Sequence, residues 1–230
     1  MKKTFAWGFD NKCNPKVLPS LIQNKTIELK FWVKQIREKP MFCKAEVVCY
    51  DDFFTLYNFQ PSTPPPVELF KKLEPHLLDF LLMNARHQVN YGPSEVMISR
   101  QIMDDVNHFY RLVHYFYEKL TKYEIEQVLF ANIYHEGADL IVYLLAKAMN
   151  IPVLMCYQSL FPNRFFCVSD VRDMGNVLNK CPTVSSPAGI DIGTLVQAPL
   201  FYMQNIQDAD WHYQELESDF KLSDQIKKHK

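Results

Sequence analysis

The sequence predicts an α/β protein with a small, mainly parallel sheet and helices on both faces. Three observations carry that expectation. Residues 127–158 read as an apolar run, a polar turn, an amphipathic helix and a second apolar run, the order of a β-α-β unit with two parallel strands side by side. Short apolar, β-rich runs recur at residues 4–7 and 45–50. Ile102, Val106, Phe109, Val113, Phe116 and Leu120 step by threes and fours, which makes one apolar face along a long helix. Together these describe a Rossmann-like arrangement.

Taken in order, residues 4–7 form a first strand that opens into Gly8-Phe9-Asp10. Residues 14–23 hold two prolines and suit a short helix starting near Pro15. Ile27, Leu29, Phe31 and Val33 alternate with polar or bulky neighbours, the period of a half-buried strand. Residues 45–50 form another strand, ending at Asp51-Asp52. Four prolines between residues 61 and 66 exclude helix and central strand, so this is a connection. Residues 67–84 suit a helix interrupted at Pro75, and Gly92-Pro93-Ser94 is a helix-start signal with Ser94 as cap. The long helix that follows carries Asp104, Asp105, His108, Arg111, His114 and Glu118 opposite its apolar face. That face reads as solvated and charge-mixed, although His114 and Glu118 have the spacing of metal ligands. After the β-α-β unit comes a short run at residues 165–168, and beyond Asp173 prolines and glycines break the pattern. The expected organisation is a Rossmann-like domain over residues 1–180 and an irregular, partly helical extension over 181–230.

Bulk composition narrows the function. The 230 residues are 48% hydrophobic and 14% aromatic, which supports a sizeable core. Net charge is -1, so no overall basic field favours nucleic acid. Six glycines against 14 prolines argue against glycine-rich phosphate loops. The six cysteines contain no Cys-x-x-Cys pair, so zinc-ribbon spacing is absent. Cys49 and Cys156 lie in apolar runs as small core residues, which suggests a reducing, cytoplasmic compartment. The apolar run at residues 5–9 is short for a signal peptide, and no run has the length to span a membrane.

Candidate chemistry gathers at strand ends, where open α/β sheets bind ligands. The turn after the first strand of the β-α-β unit carries His135-Glu136-Gly137, and the turn after the second carries Gln158-Ser159 and Asn163-Arg164. An active site is expected between these two turns. Glu136, just before a helix, sits where the dipole favours a carboxylate. It suits a general base with His135 as proton partner, or simply a first-turn residue. Gly137 permits close approach of a ligand or of backbone. Gln158, Ser159, Asn163 and Arg164 offer neutral hydrogen-bond partners and one fixed cation, suited to a sugar, carboxylate or phosphate, or to ordinary turn chemistry. Gly8, Asp10, Asp51 and Asp52 form a further set at strand ends. They suit hydroxyl or divalent-metal binding, as in a metal-dependent hydrolase, or capping. Asp208, Asp210, Trp211 and His212 suit sugar stacking and acid–base work, or a surface helix with one packed Trp.

Phe130-Ala-Asn-Ile-Tyr-His-Glu-Gly and Tyr157-Gln-Ser-Leu-Phe-Pro-Asn-Arg-Phe resemble bacterial surface-polysaccharide biosynthesis proteins. They are similar to the N-terminal half of two-domain capsule and lipopolysaccharide glycosyltransferases of the Kdo-transferase-like group. In that group an acidic-Gly motif serves the acceptor side, and a His-Pro motif in the C-terminal half helps bind a CMP-sugar donor. Glu136-Gly137 matches the first motif, and no His-Pro dipeptide occurs in this sequence. The resemblance implies one half of a GT-B-like architecture with Glu136 as base, His135 as partner, and Gly137, Gln158, Ser159, Asn163, Arg164 and Asp10 around the substrate. It also implies a saccharide acceptor and no tightly bound cofactor. A CMP-sugar donor would be held by a separate C-terminal domain, and the protein would sit in the cytoplasm or peripherally at the inner membrane beside polysaccharide-assembly proteins. A non-catalytic glycan- or protein-binding module is the competing reading.

Overall fold

A computed structural model describes residues 1–10, 16–35, 44–50, 52–53, 64–91, 102–158 and 165–176. Six strands form one sheet in the order β3-β2-β1-β4-β5-β6. They are β1 (Lys2–Trp7), β2 (Ile27–Lys34), β3 (Glu46–Cys49), β4 (Gln127–Phe130), β5 (Val153–Gln158) and β6 (Phe165–Val168). β1 runs parallel to both β2 and β4, β2 parallel to β3, and β4 parallel to β5. The expected neighbours are therefore neighbours, with Leu129 opposite Leu154 in register. Residues 1–157 and 165–179 make one compact unit; 158–164 and 180–230 make a second, of which Gln158 alone is described.

The helices are α1 (Val17–Gln23), α2 (Val67–Leu73), α3 (Leu77–Tyr91), α4 (Ile102–Lys122) and α5 (Gly137–Ala148). A 3-10 turn at Glu74–His76 separates α2 from α3. Pro75 lies in that turn, at the interruption the sequence suggests, because its ring and missing N–H disfavour a continuous α-helix. Residues 92–101, with the expected Ser94 cap, lie outside the described residues, and so does the 208–212 cluster.

Strand order explains which face each helix covers. From β1 the chain steps outward through β2 to β3, and from β4 it steps the opposite way to β5. Crossovers of one hand then place their helices on opposite faces. Accordingly, Leu18 of α1 packs with Ala6, Leu29, Trp32 and Leu129. α2 to α5 cover the other face, where Phe5, Val33, Val128, Phe130, Val153 and Met155 meet Phe109, Phe116, Ile141 and Leu145. Alternation along each strand divides the residues between these two cores: Phe5 against Ala6, and Val128 and Phe130 against Leu129. α5 is buried along most of its length because α2, α3 and α4 all contact it.

That second layer corrects one expectation. His108 of α4, read from the sequence as solvated, is buried at 4% exposure. The Phe80 ring of α3 lies 6.1 Å from the His108 ring. Arg111, His114 and Glu118 are half-buried, and Asp104 is exposed. Periodicity gives the face α4 turns to the sheet, but not the face a neighbouring helix covers. The His114 ring lies 5.2 Å from the Phe70 ring, tilted against it, and burial lowers the His114 pKa. No helix among the described residues is long and apolar enough to cross a membrane.

Candidate functional site

The direction of winding reverses between β1 and β4, and in doubly wound sheets the crevice at the carboxyl ends of those two strands is where ligands bind. The segments that leave there are Gly8-Phe9-Asp10 and Ala131 to Glu136. The sequence pointed to the turns after β4 and β5, with Asp10 at another strand end; topology sets the end of β1 beside that of β4. Asp10 and Glu136 thus follow adjacent strands.

The exit from β1 is tightly built. Gly8 and Phe9 both have positive φ, 78° and 69°. Gly8 needs the left-handed conformation and also the missing side chain, since a Cβ there would lie 2.8 Å from Ala131 Cβ. For Phe9 the conformation is strained, and its burial in the α1-side core holds it. Gly8 N–H donates to Val33 O at 2.9 Å and Ala131 N–H to Trp7 O at 2.8 Å. Trp32 Nε1–H donates to Gly8 O at 2.6 Å. Asp10 Oδ2 accepts from Gln35 N–H at 2.7 Å, so this carboxylate terminates β2. Asp52 Oδ2 likewise accepts from Cys49 N–H at 3.1 Å at the end of β3. Both aspartates act as strand-end caps. Among the described residues no three His, Cys, Asp or Glu side chains are grouped to hold a metal ion.

The exit from β4 is organised by a residue the sequence reading passed over. Asp139, in the first turn of α5, is 1% exposed. Its Oδ2 accepts from His135 N–H at 2.9 Å, and its Oδ1 from Glu136 N–H at 2.9 Å and Leu140 N–H at 2.7 Å. Glu136 is the N-cap of α5, with extended backbone, and its side chain receives the Asp139 N–H in return. This is a reciprocal capping box, and Glu136-x-x-Asp139 was its signal in the sequence. The Glu136 side chain is 16% exposed and the His135 side chain 53%. His135 Nδ1 lies 3.0 Å from Ile133 O; a carbonyl only accepts, so that nitrogen donates. His135 Nε2 stands 3.8 Å from Glu136 Oε1, within ion-pair reach but beyond hydrogen-bond distance.

Burial pushes the Asp139 carboxyl up to about 7, with the Glu136 carboxylate also raising it, while His135 and the backbone N–H donors hold it down. The folded state therefore binds this proton more tightly than the unfolded chain. The resulting stability is fully present below the ordinary value of 3.8 and is lost as pH rises through about 7. In urea titrations from pH 4 to 8, the wild type should lose stability relative to Asp139→Asn as pH rises. A difference that does not change with pH contradicts this.

Gly137 permits a close approach, and the partner is α3. A Cβ on Gly137 would lie 2.5 Å from Asn84 Oδ1 and 2.7 and 2.9 Å from two Phe80 ring atoms. Phe80 is fully buried and cannot swing clear. Alanine normally favours a helix over glycine by about 1 kcal/mol. Here Gly137→Ala should instead destabilise by about 1–3 kcal/mol through overpacking, read as a lower denaturation midpoint. An unchanged or raised midpoint would show that Phe80 and Asn84 yield.

Next to the Glu136 segment, the Tyr134 and Tyr143 rings lie 4.7 Å apart. Asp170 joins α5 to the end of β6, accepting from Arg172 Nε–H at 3.0 Å and NH2 at 2.8 Å and pairing with Lys147 at 3.3 Å. The Arg172 guanidinium holds the Asp170 carboxyl well below the usual range despite its burial. Gln158 ends β5, while Ser159, Asn163, Arg164 and Asp51 lie outside the described residues. A cavity of about 830 Å³ opens at the other edge, by the amino ends of β1, β2 and β3, with Ile22, Ile27 and Leu29 lining it beside Lys25, Lys30 and Lys44. Its position is opposite to where parallel sheets present helix N-termini and strand-end loops to ligands.

No protein-family model, curated protein or solved structure matches this chain.

Proposed function

We propose that the chain is a glycosyltransferase-like protein, or the acceptor-side domain of one, in bacterial surface-polysaccharide biosynthesis. The observation that carries this reading is topological. His135 and Glu136 leave β4, and Asp10 leaves β1, at the point where the order β3-β2-β1-β4-β5-β6 reverses. The left-handed pair Gly8-Phe9 adds support, because strained backbone concentrates at functional sites.

In this reading Glu136 takes the proton of an acceptor hydroxyl as that oxygen bonds to the anomeric carbon of the donor sugar. The bond from that carbon to the phosphate of CMP breaks, and CMP leaves with the electron pair. His135 is the proton partner of Glu136, neutral with Nε2 as the acceptor, and takes the proton from it once the two side chains close to hydrogen-bond distance. Asp10 and the second polar turn, Gln158, Ser159, Asn163 and Arg164, hold sugar hydroxyls, and a donor-binding domain of GT-B type supplies the CMP-sugar. The protein works in the cytoplasm, free or peripheral to the inner membrane. One observation favours the non-catalytic binding module: the Glu136 carboxylate already receives the Asp139 N–H.

Incubation with labelled CMP-sugars and lipopolysaccharide or capsule acceptor fragments tests the reading, both for this chain and for any longer product of its gene. Incorporation of label supports transfer. Acceptor binding without incorporation in either protein supports the binding module instead.

A further inference from the structure

We infer that Cys156 and Cys167 are a paired dithiol site that a low-molecular-weight disulfide, such as oxidised glutathione, converts to an intramolecular disulfide. β6 lies beside β5 in the sheet. Val153 and Met155 of β5 belong to the large core under α2 to α5, as does Val168 of β6. Alternation then turns both Cys156 and Cys167 to the opposite face. Cys156 packs against the α1-side core, and the Cys167 side chain reaches it within hydrogen-bonding range. Neither cysteine belongs to the Glu136 segment, so the inference is independent of the transfer reaction.

The two thiols differ in access, which sets the order of steps. Cys167 is exposed and Cys156 is partly buried. Burial, and then the neighbouring Cys167, push the Cys156 thiol up to about 12, so it is a poor first nucleophile. The Cys167 thiolate therefore attacks the glutathione disulfide, forming a mixed disulfide and releasing one glutathione thiol. Cys156, held against it, then attacks Cys167 Sγ and expels the second glutathione. Two protein thiols and one glutathione disulfide become one protein disulfide and two glutathione thiols; the protein is oxidised, the glutathione is reduced, and the protons end on the released thiols. A disulfide needs Cβ atoms about 3.5–4.5 Å apart, and the shared face of adjacent strands together with the contact between the two thiols brings this pair near that range. The bridge ties together the two strands that flank residues 159–164, the segment bearing Ser159, Asn163 and Arg164.

The test is peptide mapping of the folded full chain after treatment with oxidised glutathione. Arg164 separates the two cysteines, so trypsin yields a linked pair of peptides that dithiothreitol parts. The expected result is that pair, a mass loss of two hydrogens, and two of the six thiols resistant to alkylation. Cys156→Ser should instead retain glutathione on Cys167. Three wild-type results overturn the inference: a stable glutathione adduct on Cys167, pairing of either residue with another cysteine, or six alkylatable thiols. The wild-type map decides even if the variant folds poorly.

Discussion

Glu136→Gln should lower sugar transfer by about a hundredfold to ten-thousandfold, the usual contribution of a positioned general base. Gln keeps the shape of Glu and its carbonyl oxygen still accepts the Asp139 N–H, so the cap on α5 survives. The loss should fall on kcat, because proton abstraction belongs to the transition state rather than to binding. The folded state should change by less than about 1 kcal/mol, the scale of a carboxylate at a helix N-terminus. Steady-state transfer rates and urea midpoints, measured together, separate the two effects. Equal rates for variant and wild type would leave Glu136 as a helix cap alone. A large drop in stability would show that its negative charge, and not only its shape, secures the turn.

The largest effect on stability is expected from Phe116→Ala. Phe116 is fully buried on the side of α4 that meets the sheet. Its ring lies 5.1 Å from Phe53, 5.9 Å from Trp7 and 6.1 Å from Phe5. These rings come from α4, β1 and the segment after β3, so their contacts hold α4 against the β1 side of the sheet. Truncation removes apolar surface and leaves a cavity that rigid neighbours cannot fill, at a cost of about 3–5 kcal/mol. Leu78→Ala is the matched control, since Leu78 is 64% exposed and surface changes usually stay within about 0.5 kcal/mol. Urea unfolding followed by Trp fluorescence reads both. Similar midpoints for the two variants would mean that the aromatic cluster does not hold the sheet to α4.

What the sequence revealed depended on whether the relevant interaction was local. The unit from β4 through α5 to β5 was legible because its apolar runs, its turn at residues 131–136 and its helix are contiguous. The break at Pro75 was legible for the same reason. The adjacency of β1 and β4 was not: 119 residues separate Trp7 from Gln127, with no periodic signal for their pairing. Without it Asp10 could be named as a strand-end candidate but not placed beside the Glu136 segment. His108 misled because its cover, Phe80, comes from another helix. Gly137 was read as a place where a ligand or backbone approaches, whereas the near neighbours are the Asn84 and Phe80 side chains of α3, which local sequence does not reveal. Asp139 was missed although its capping spacing from Glu136 is local, because an acidic residue in a first helical turn also suits the dipole alone. Its burial and its three N–H partners became visible only in the folded chain.

In the proposed function a saccharide acceptor binds where β1 and β4 release the chain. Backbone amide shifts, followed by NMR during titration with acceptor oligosaccharide, test it most directly. The largest shifts are expected at Gly8, Asp10 and Asn132 to Glu136, with little change at the amino ends of the strands. Shifts concentrated instead at Lys25, Lys30 and Lys44, around the opposite cavity, would contradict it.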